Sequence, residues 1–221
     1  MATIIRGERA NEIPAVQALL LYLSLLRAAG RTGRLAFPVI ATSWVERLVE
    51  GSGLEVIRTA ASLPALTKAA AENHAIFGGA VGGGYVFPEF LPAYDGVASL
   101  CKLLELLAPV QTPLSELVSE LPASTLVHRQ LPCPWSLKGT VMRVLTERLR
   151  DRKLDLLDGV KVFDRRGWAQ VLPDPDEPVV HIYAEGKTEA DSLELEAETR
   201  ALVEEIMQSE GAKAEGARAS S

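Results

Sequence analysis

Apolar residues in the first half of the chain come in short blocks divided by Gly, Pro and polar turns. Val16 to Ala29 is strongly apolar, follows Pro14 and stops at Gly30. Proline suits a first helical turn and glycine a helix end, so this block predicts a helix. Leu35 to Ala41 is β-like, and Ser43 is placed to cap a second helix, Val45 to Glu50, closed by Gly51 and Gly53. Leu54 to Thr59 reads as a strand, Leu63 to Glu72 as an Ala-rich helix, and Ala75 to Phe77 as a strand entering a glycine cluster. Thr3 to Ile5 reads as the tail of a further strand. Strands and helices alternating at this spacing predict an α/β layer with parallel pairing.

After the glycines, Tyr85 to Phe87 is strand-like. Gly96 to Leu107 predicts a helix with Leu100, Leu103, Leu104 and Leu107 on one face. Thr112, Pro113 and Glu116 mark the start of another, Leu114 to Glu120, which Leu121-Pro122 stops. The texture then changes. Leu126 to Leu131 is β-like and Lys138 to Arg150 is a charged amphipathic helix. Gly159 to Phe163, Trp168 to Leu172 and Val179 to Tyr183 are short strands, and Leu193 to Met207 is an acidic helix. The expected organisation is an α/β domain over residues 1–122 and an α+β domain over 123–208. Residues 209–221, rich in Ala, Gly, Glu and Ser without an apolar face, predict a disordered tail.

Composition narrows the function classes. With 48% hydrophobic and 24% charged residues, the chain can bury ordinary cores. A formal net charge of -6 argues against non-specific binding to nucleic acid or anionic membranes. Cys101 and Cys133 form no CxxC pair and read as thiols of a reducing compartment. His74, His128 and His181 have no metal-ligand spacing. No secretory signal is visible, and the apolar stretch Ala18 to Leu26 is too short to cross a bilayer, so the expected location is the cytoplasm.

Three stretches carry a resemblance. The first runs Phe77-Gly-Gly-Ala-Val-Gly-Gly-Gly-Tyr-Val-Phe-Pro-Glu-Phe90, followed by Asp95-Gly96. The second is Leu103-Leu-Glu-Leu-Leu-Ala108 with Pro113-Leu-Ser-Glu-Leu117 and Leu121-Pro122. The third is Asp158-Gly-Val-Lys-Val162, Trp168, Glu177-Pro178 and Tyr183-Ala-Glu185. In this order and spacing they resemble the third and fourth domains of the α-D-phosphohexomutases, the phosphomannomutase/phosphoglucomutase family. The Phe-Pro-Glu-Phe variant is also similar to a branch fused to mannose-1-phosphate guanylyltransferase. The resemblance implies a Rossmann-like α/β domain III and a small C-terminal domain of antiparallel sheet plus helices. In active members it implies Mg²⁺, a phosphoserine and a hexose phosphate substrate. No Thr-Ala-Ser-His-Asn or Asp-Gly-Asp-Gly-Asp-Arg pattern is present, so neither the serine nor the metal loop transfers, and no cofactor is expected for this chain.

Both ligand loops of the resemblance are altered. In the sugar loop, Gly79, Ala80, Gly82, Gly83 and Gly84, the acidic position is Ala80, the Ser or Asn position Gly82 and the His position Gly84. A residual backbone contact to sugar or phosphate is one reading; an inherited turn is the other, and the favoured one. In the phosphate loop, aligned on Glu177-Pro178, the family's Arg falls on Leu172, its Ser on Asp174, its Gly on Pro175 and its Thr on Asp176. Phosphate wants a guanidinium, hydroxyls and free N–H groups; this loop offers carboxylates and prolines. Asp174, Asp176 and Glu177 together suggest hard-cation binding or an acidic, proline-stiffened turn, the latter favoured. The run Ala61-Ser62-Leu63-Pro64 lacks the family's Lys after Arg58-Thr59. Trp44, Trp135 and Trp168 are expected in cores or packing contacts, and His181 is expected on a strand facing solvent or a polar partner.

The expected role is therefore non-catalytic, structural or regulatory. Expected partners are the missing N-terminal domains or a nucleotidyltransferase, with sugar phosphate bound weakly at most. The alternative is the substrate-binding half of an active mutase, or of a guanylyltransferase fusion, whose catalytic domains lie upstream.

Overall fold

The computed structural model describes residues 5–6 and 12–219, with side chains over 12–212. Thr3 and Ile4 of the first expected strand lie outside the described residues. The chain divides into two compact units, 1–124 and 125–221.

In the first unit, β1 (Ile5–Arg6) and β2 (Glu12–Ile13) pair antiparallel ahead of helix α1 (Ala15–Ala28). Five strands, β3 (Gly33–Pro38), β4 (Leu54–Thr59), β5 (Ala75–Gly79), β6 (Tyr85–Phe87) and β7 (Leu91–Tyr94), make one sheet in the order β4-β3-β5-β6-β7. β3 is parallel to β4 and β5, while β6 and β7 continue antiparallel. Helices α2 (Trp44–Val49) and α3 (Leu63–Glu72) are the crossovers, and α4 (Gly96–Leu107) and α5 (Leu114–Ser119) follow the sheet. β7 has no counterpart in the hydrophobic pattern because Pro92 and the exposed Leu91 conceal it; an edge strand tolerates both.

The core explains why α1 is apolar nearly all round. Leu19, Leu20, Leu21, Tyr22 and Leu23 are all buried, so the helix is enclosed rather than half-solvated. Each buried Leu contributes about 1.5–3 kcal/mol relative to exposure. The Tyr22 ring lies 5.4 Å from Phe77 and 4.5 Å from Tyr85, and its hydroxyl donates to the Ser99 carbonyl at 2.7 Å. That bond ties α1 to α4. At the start of α4, Asp95 caps the Ala98 N–H at 2.8 Å.

The second unit has a wholly antiparallel sheet. Its strands are β8 (Val127–Pro132), β9 (Leu154–Asp155), β10 (Val160–Phe163), β11 (Gly167–Pro173) and β12 (Val179–Gly186), in the order β8-β12-β11-β10-β9. Helices α6 (Trp135–Arg148) and α7 (Glu189–Ala219) cover one face, where Val141, Leu145 and Val203 pack on Val171, Val180 and Ile182. The two sheets give the expected α/β and α+β architectures.

Three expectations are corrected. The tail past Ser209 was read as disordered, yet α7 runs on to Ala219. Residues rich in Ala and Glu propagate a helix cheaply once its first turns are nucleated and packed. Nucleation is visible in the reciprocal cap, in which Thr188 Oγ1 accepts from the Asp191 N–H at 3.1 Å and Asp191 Oδ2 accepts from the Thr188 N–H at 3.1 Å. Ser43 precedes α2 but makes no side-chain cap; Thr42 Oγ1 instead accepts from the Trp44 N–H at 3.2 Å. On α4, Leu103 is buried but Leu100 and Leu104 are 53% and 58% exposed, because the buried side of the helix is centred on Ser99 and Leu103 and the leucine stripe runs out onto its flank.

The irregular segment between α5 and β8 joins the two units. Limited proteolysis is expected to cut within residues 121–126 and leave two protected fragments. Protection of this segment alongside cleavage inside α4 would contradict the division.

Candidate functional site

In a parallel α/β sheet, ligands bind beyond the carboxyl ends of the strands. At those ends lie the loops after β3, β4 and β5. Arg58, at the end of β4, is the one guanidinium on that strand, and its donors are spent within the fold. Nε and Nη2 reach the Glu46 carboxylate at 2.7 and 2.8 Å. Nη1 donates to the Pro38 and Ala41 carbonyls at 3.0 and 2.9 Å, and Nη2 also donates to Thr42 O at 3.2 Å. Arg58 thus fastens the β3–α2 loop. Helix α3 begins directly after, with Ser62 Oγ accepting from Ala65 N–H and Pro64 in the first turn. The run lacking a family lysine is therefore a helix start.

The glycine loop after β5 closes on itself: Ala80 N–H donates to Gly84 O at 2.8 Å and Gly83 N–H to Ala80 O at 3.1 Å. Packing demands its glycines. A Cβ on Gly84 would sit 2.5 Å from the Tyr94 ring, and Gly83 has φ +88°. A Cβ on Gly79 would press on Leu19, whereas one on Gly82 would meet nothing within 4 Å. Ala80 itself packs against the small cluster of Ala36, Leu66, Ala70, Ala75 and Val86. The loop is shaped by its neighbours, and Ala80 supplies no polar group.

The acidic turn between β11 and β12 can be accounted for bond by bond. Pro173, Pro175 and Pro178 have no N–H. Asp174 N–H donates to Val179 O at 3.2 Å. The N–H groups of Asp176 and Glu177 both donate to Asp174 Oδ1 at 2.7 Å. Every N–H of residues 173–178 is thus bonded inside the hairpin. The carbonyls face a cation instead. Lys138 of α6, 8% exposed, donates to the carbonyls of Asp174 and Glu177, and its ammonium lies 3.7 Å from the Trp135 ring centroid. The polarity is the reverse of a phosphate cradle. Leu172, the residue expected at the family's Arg position, pairs with His181 across the ladder.

Asp174 Oδ2 lies 2.9 Å from His181 Nε2, and His181 Nδ1 lies 2.9 Å from His128 Nε2. A carboxylate only accepts, so His181 Nε2 carries a proton. In the neutral ring, Nδ1 then accepts from His128 Nε2–H, and His128 is stacked 4.3 Å from Tyr183. The bond from His181, reinforced by the Asp176 amide, holds the Asp174 carboxyl down at about 2. Desolvation, with His181 beside it, lowers the pKa of His128.

Sequence reasoning singled out Leu172, Asp174, Asp176 and Glu177; the structure brings Asp174 together with His181, His128 and Lys138. Lys138 and His128 had been missed, Lys138 because it reads as one more charge on an amphipathic helix. Trp168 is buried, with its indole N–H donating to Glu185 at 2.9 Å, but Trp135 is 54% exposed and is corrected from core to cation–π partner. Among the described residues no group of three or more His, Cys, Asp or Glu side chains is arranged to hold a metal ion, and Asp174 is committed to amides and imidazole.

Two predictions follow from this geometry. Gly84→Ala should destabilise the chain by about 1–3 kcal/mol through overpacking on Tyr94, and Gly82→Ala should stay within about 0.5 kcal/mol; urea unfolding measures both. The second concerns pH. A histidine with a depressed folded pKa resists protonation, so unfolding takes up a proton. Its stabilisation is full above about pH 6.5 and is lost as pH falls through the folded value. The melting temperature should drop between pH 7 and 5 by more in the parent than in His128→Gln. The contribution of Asp174 is lost separately, as pH falls from about 4 toward 2. Equal pH slopes in parent and variant would contradict the assignment to His128.

Comparison with known proteins places this geometry. Residues 15–125 match the family model described as "Phosphoglucomutase/phosphomannomutase, alpha/beta/alpha domain III". The "Probable phosphoglucosamine mutase" of Methanopyrus kandleri is 34% identical over 180 residues, covering 79% of this chain and 40% of that protein. A phosphoglucomutase/phosphomannomutase family protein of Burkholderia thailandensis has a similar structure, with TM-score 0.74 and 20% identity over 92% of this chain and 44% of the other. The Aspergillus fumigatus N-acetylphosphoglucosamine mutase, solved with GlcNAc-6P and magnesium, matches with TM-score 0.62 and 12% identity over 92% and 46%. The chain thus spans about two-fifths of the length of the curated relatives it matches. No described helix is long and apolar enough to cross a membrane. With its domain III matched over residues 15–125, the chain belongs to the phosphoglucomutase/phosphomannomutase family.

Proposed function

We propose that this chain is the C-terminal half of a phosphohexomutase-like protein, does no catalysis by itself, and has a structural or regulatory role in cytoplasmic sugar-phosphate or nucleotide-sugar metabolism. The observation that carries the reading is the acidic turn: every N–H of residues 173–178 is bonded internally, and its carbonyls hold Lys138. Arg58, the nearest guanidinium at the strand ends of the first unit, is equally committed. A role in holding other domains is supported by α4, whose side away from the core exposes Val97 and Leu104, 73% and 58%. A helix apolar on two sides is normally enclosed, and the N-terminal domains of a phosphohexomutase are the proposed cover.

A second reading makes this chain the substrate-binding half of an active mutase or of a guanylyltransferase fusion. It is favoured by coverage, since the M. kandleri relative has 60% of its length outside the match. The turn weighs against it, because added domains would not return N–H donors to Pro173, Pro175 and Pro178.

A coupled assay with mannose 1-phosphate or glucose 1-phosphate, Mg²⁺ and a bisphosphate activator should read at background; turnover near 1 s⁻¹ would refute the proposal. Calorimetry should show no hexose phosphate binding by the unmodified chain. Rebuilding the turn as Leu172→Arg, Asp174→Ser, Pro175→Gly and Asp176→Thr should create it. Micromolar binding by the unmodified chain would also refute the reading.

A further inference from the structure

The geometry points to Asp174 as a resident ligand: its carboxylate fills a small-carboxylate site that the hairpin would otherwise present to free carboxylate monoanions. Three donors converge on it from outside its own side chain. Asp176 N–H and Glu177 N–H meet Oδ1 at 2.7 Å each, and His181 Nε2 meets Oδ2 at 2.9 Å. A short turn alone would supply the two amides. The imidazole comes from β12 and is held from behind by His128, which is stacked on Tyr183 and lies on the neighbouring strand β8. Lys138 fixes the same hairpin from α6 by its carbonyls, so the two amides are aimed by contacts that do not involve the carboxylate.

Removing the carboxylate from this setting leaves two amides and an imidazole N–H directed at one vacant position. An anion is the chemistry that satisfies such a set. Size and charge select its class. The space vacated by Asp174→Ala is that of one carboxylate group, the size of formate. The carboxyl groups of Asp176 and Glu177 belong to the same turn and repel a dianion more than a monoanion. Formate is therefore preferred over inorganic phosphate, which separates this site from a phosphate loop. The inference rests on the reading that the hairpin has no spare donor while Asp174 is present.

The test is chemical rescue of the full chain. Asp174→Ala should melt several degrees below the parent. Sodium formate at about ten times its dissociation constant should raise the folding constant about tenfold, restoring several degrees of Tm. Sodium chloride at the same ionic strength should not, and phosphate should rescue less than formate. Asp174→Asn keeps the Oδ1 acceptor and should be indifferent to formate. The double variant Asp174→Ala, His181→Ala should lose most of the rescue. If Asp174→Ala does not fold alone, refolding in formate but not chloride gives the same support. Refolding in neither, while Asp174→Asn folds, overturns the inference. Equal rescue by chloride, stronger rescue by phosphate, or undiminished rescue without His181 also overturns it. Phosphate binding by the unmodified parent sinks the earlier functional reading instead, so the two failures are distinguishable.

Discussion

Three prolines in one six-residue turn set the constraint around which the second unit's end is built. Proline removes donors, and the N–H groups that remain must still find acceptors. The Asp174 carboxylate takes two of them, and the strand ends take the other. The Asp174 and Glu177 carbonyls turn toward α6, where Lys138 meets them and its ammonium lies over the Trp135 ring. One carboxylate therefore organises a turn, a helix contact and the imidazole chain through His181 to His128.

This arrangement bears on function because donors are finite. A phosphate loop works by leaving N–H groups and a guanidinium unpaired until the ligand arrives. Here every N–H of residues 173–178 is bonded inside the hairpin, and Leu172 offers no guanidinium. In the first unit Arg58 fastens its own loop, and glycines that look poised for sugar are needed where Tyr94 and Leu19 press close. In both units the polar groups at these loops are bonded within the fold.

The first unit shows how a fold survives such changes. The enclosure of α1, in which Tyr22 packs on Phe77, Tyr85 and Phe87, meets the glycine loop where Leu19 approaches Gly79. Neither Ala80 nor the run Ala61-Ser62 belongs to that core. The exposed Val97, Leu100 and Leu104 of α4 are the exception to an otherwise closed apolar surface on that helix.

Much of this was legible in the order of residues. Periodicity, helix caps and turn residues are local, so α1, α3, the parallel strands and the change to α+β texture follow from neighbours within a few positions. Leu172 and the prolines of the acidic turn are equally plain, because they concern residue identity alone. The helical continuation past Ser209 was misread, since composition without an apolar face says little once a packed helix is available to extend. The exposure of Trp135 and the pairing of His128 with His181 were out of reach for another reason. His128 and His181 are 53 positions apart, and Lys138 and Asp174 are 36 apart. Sequence alone determined which groups could bond; only the tertiary structure decided which of them had already done so, because a donor's availability depends on partners brought close by strand register and helix packing.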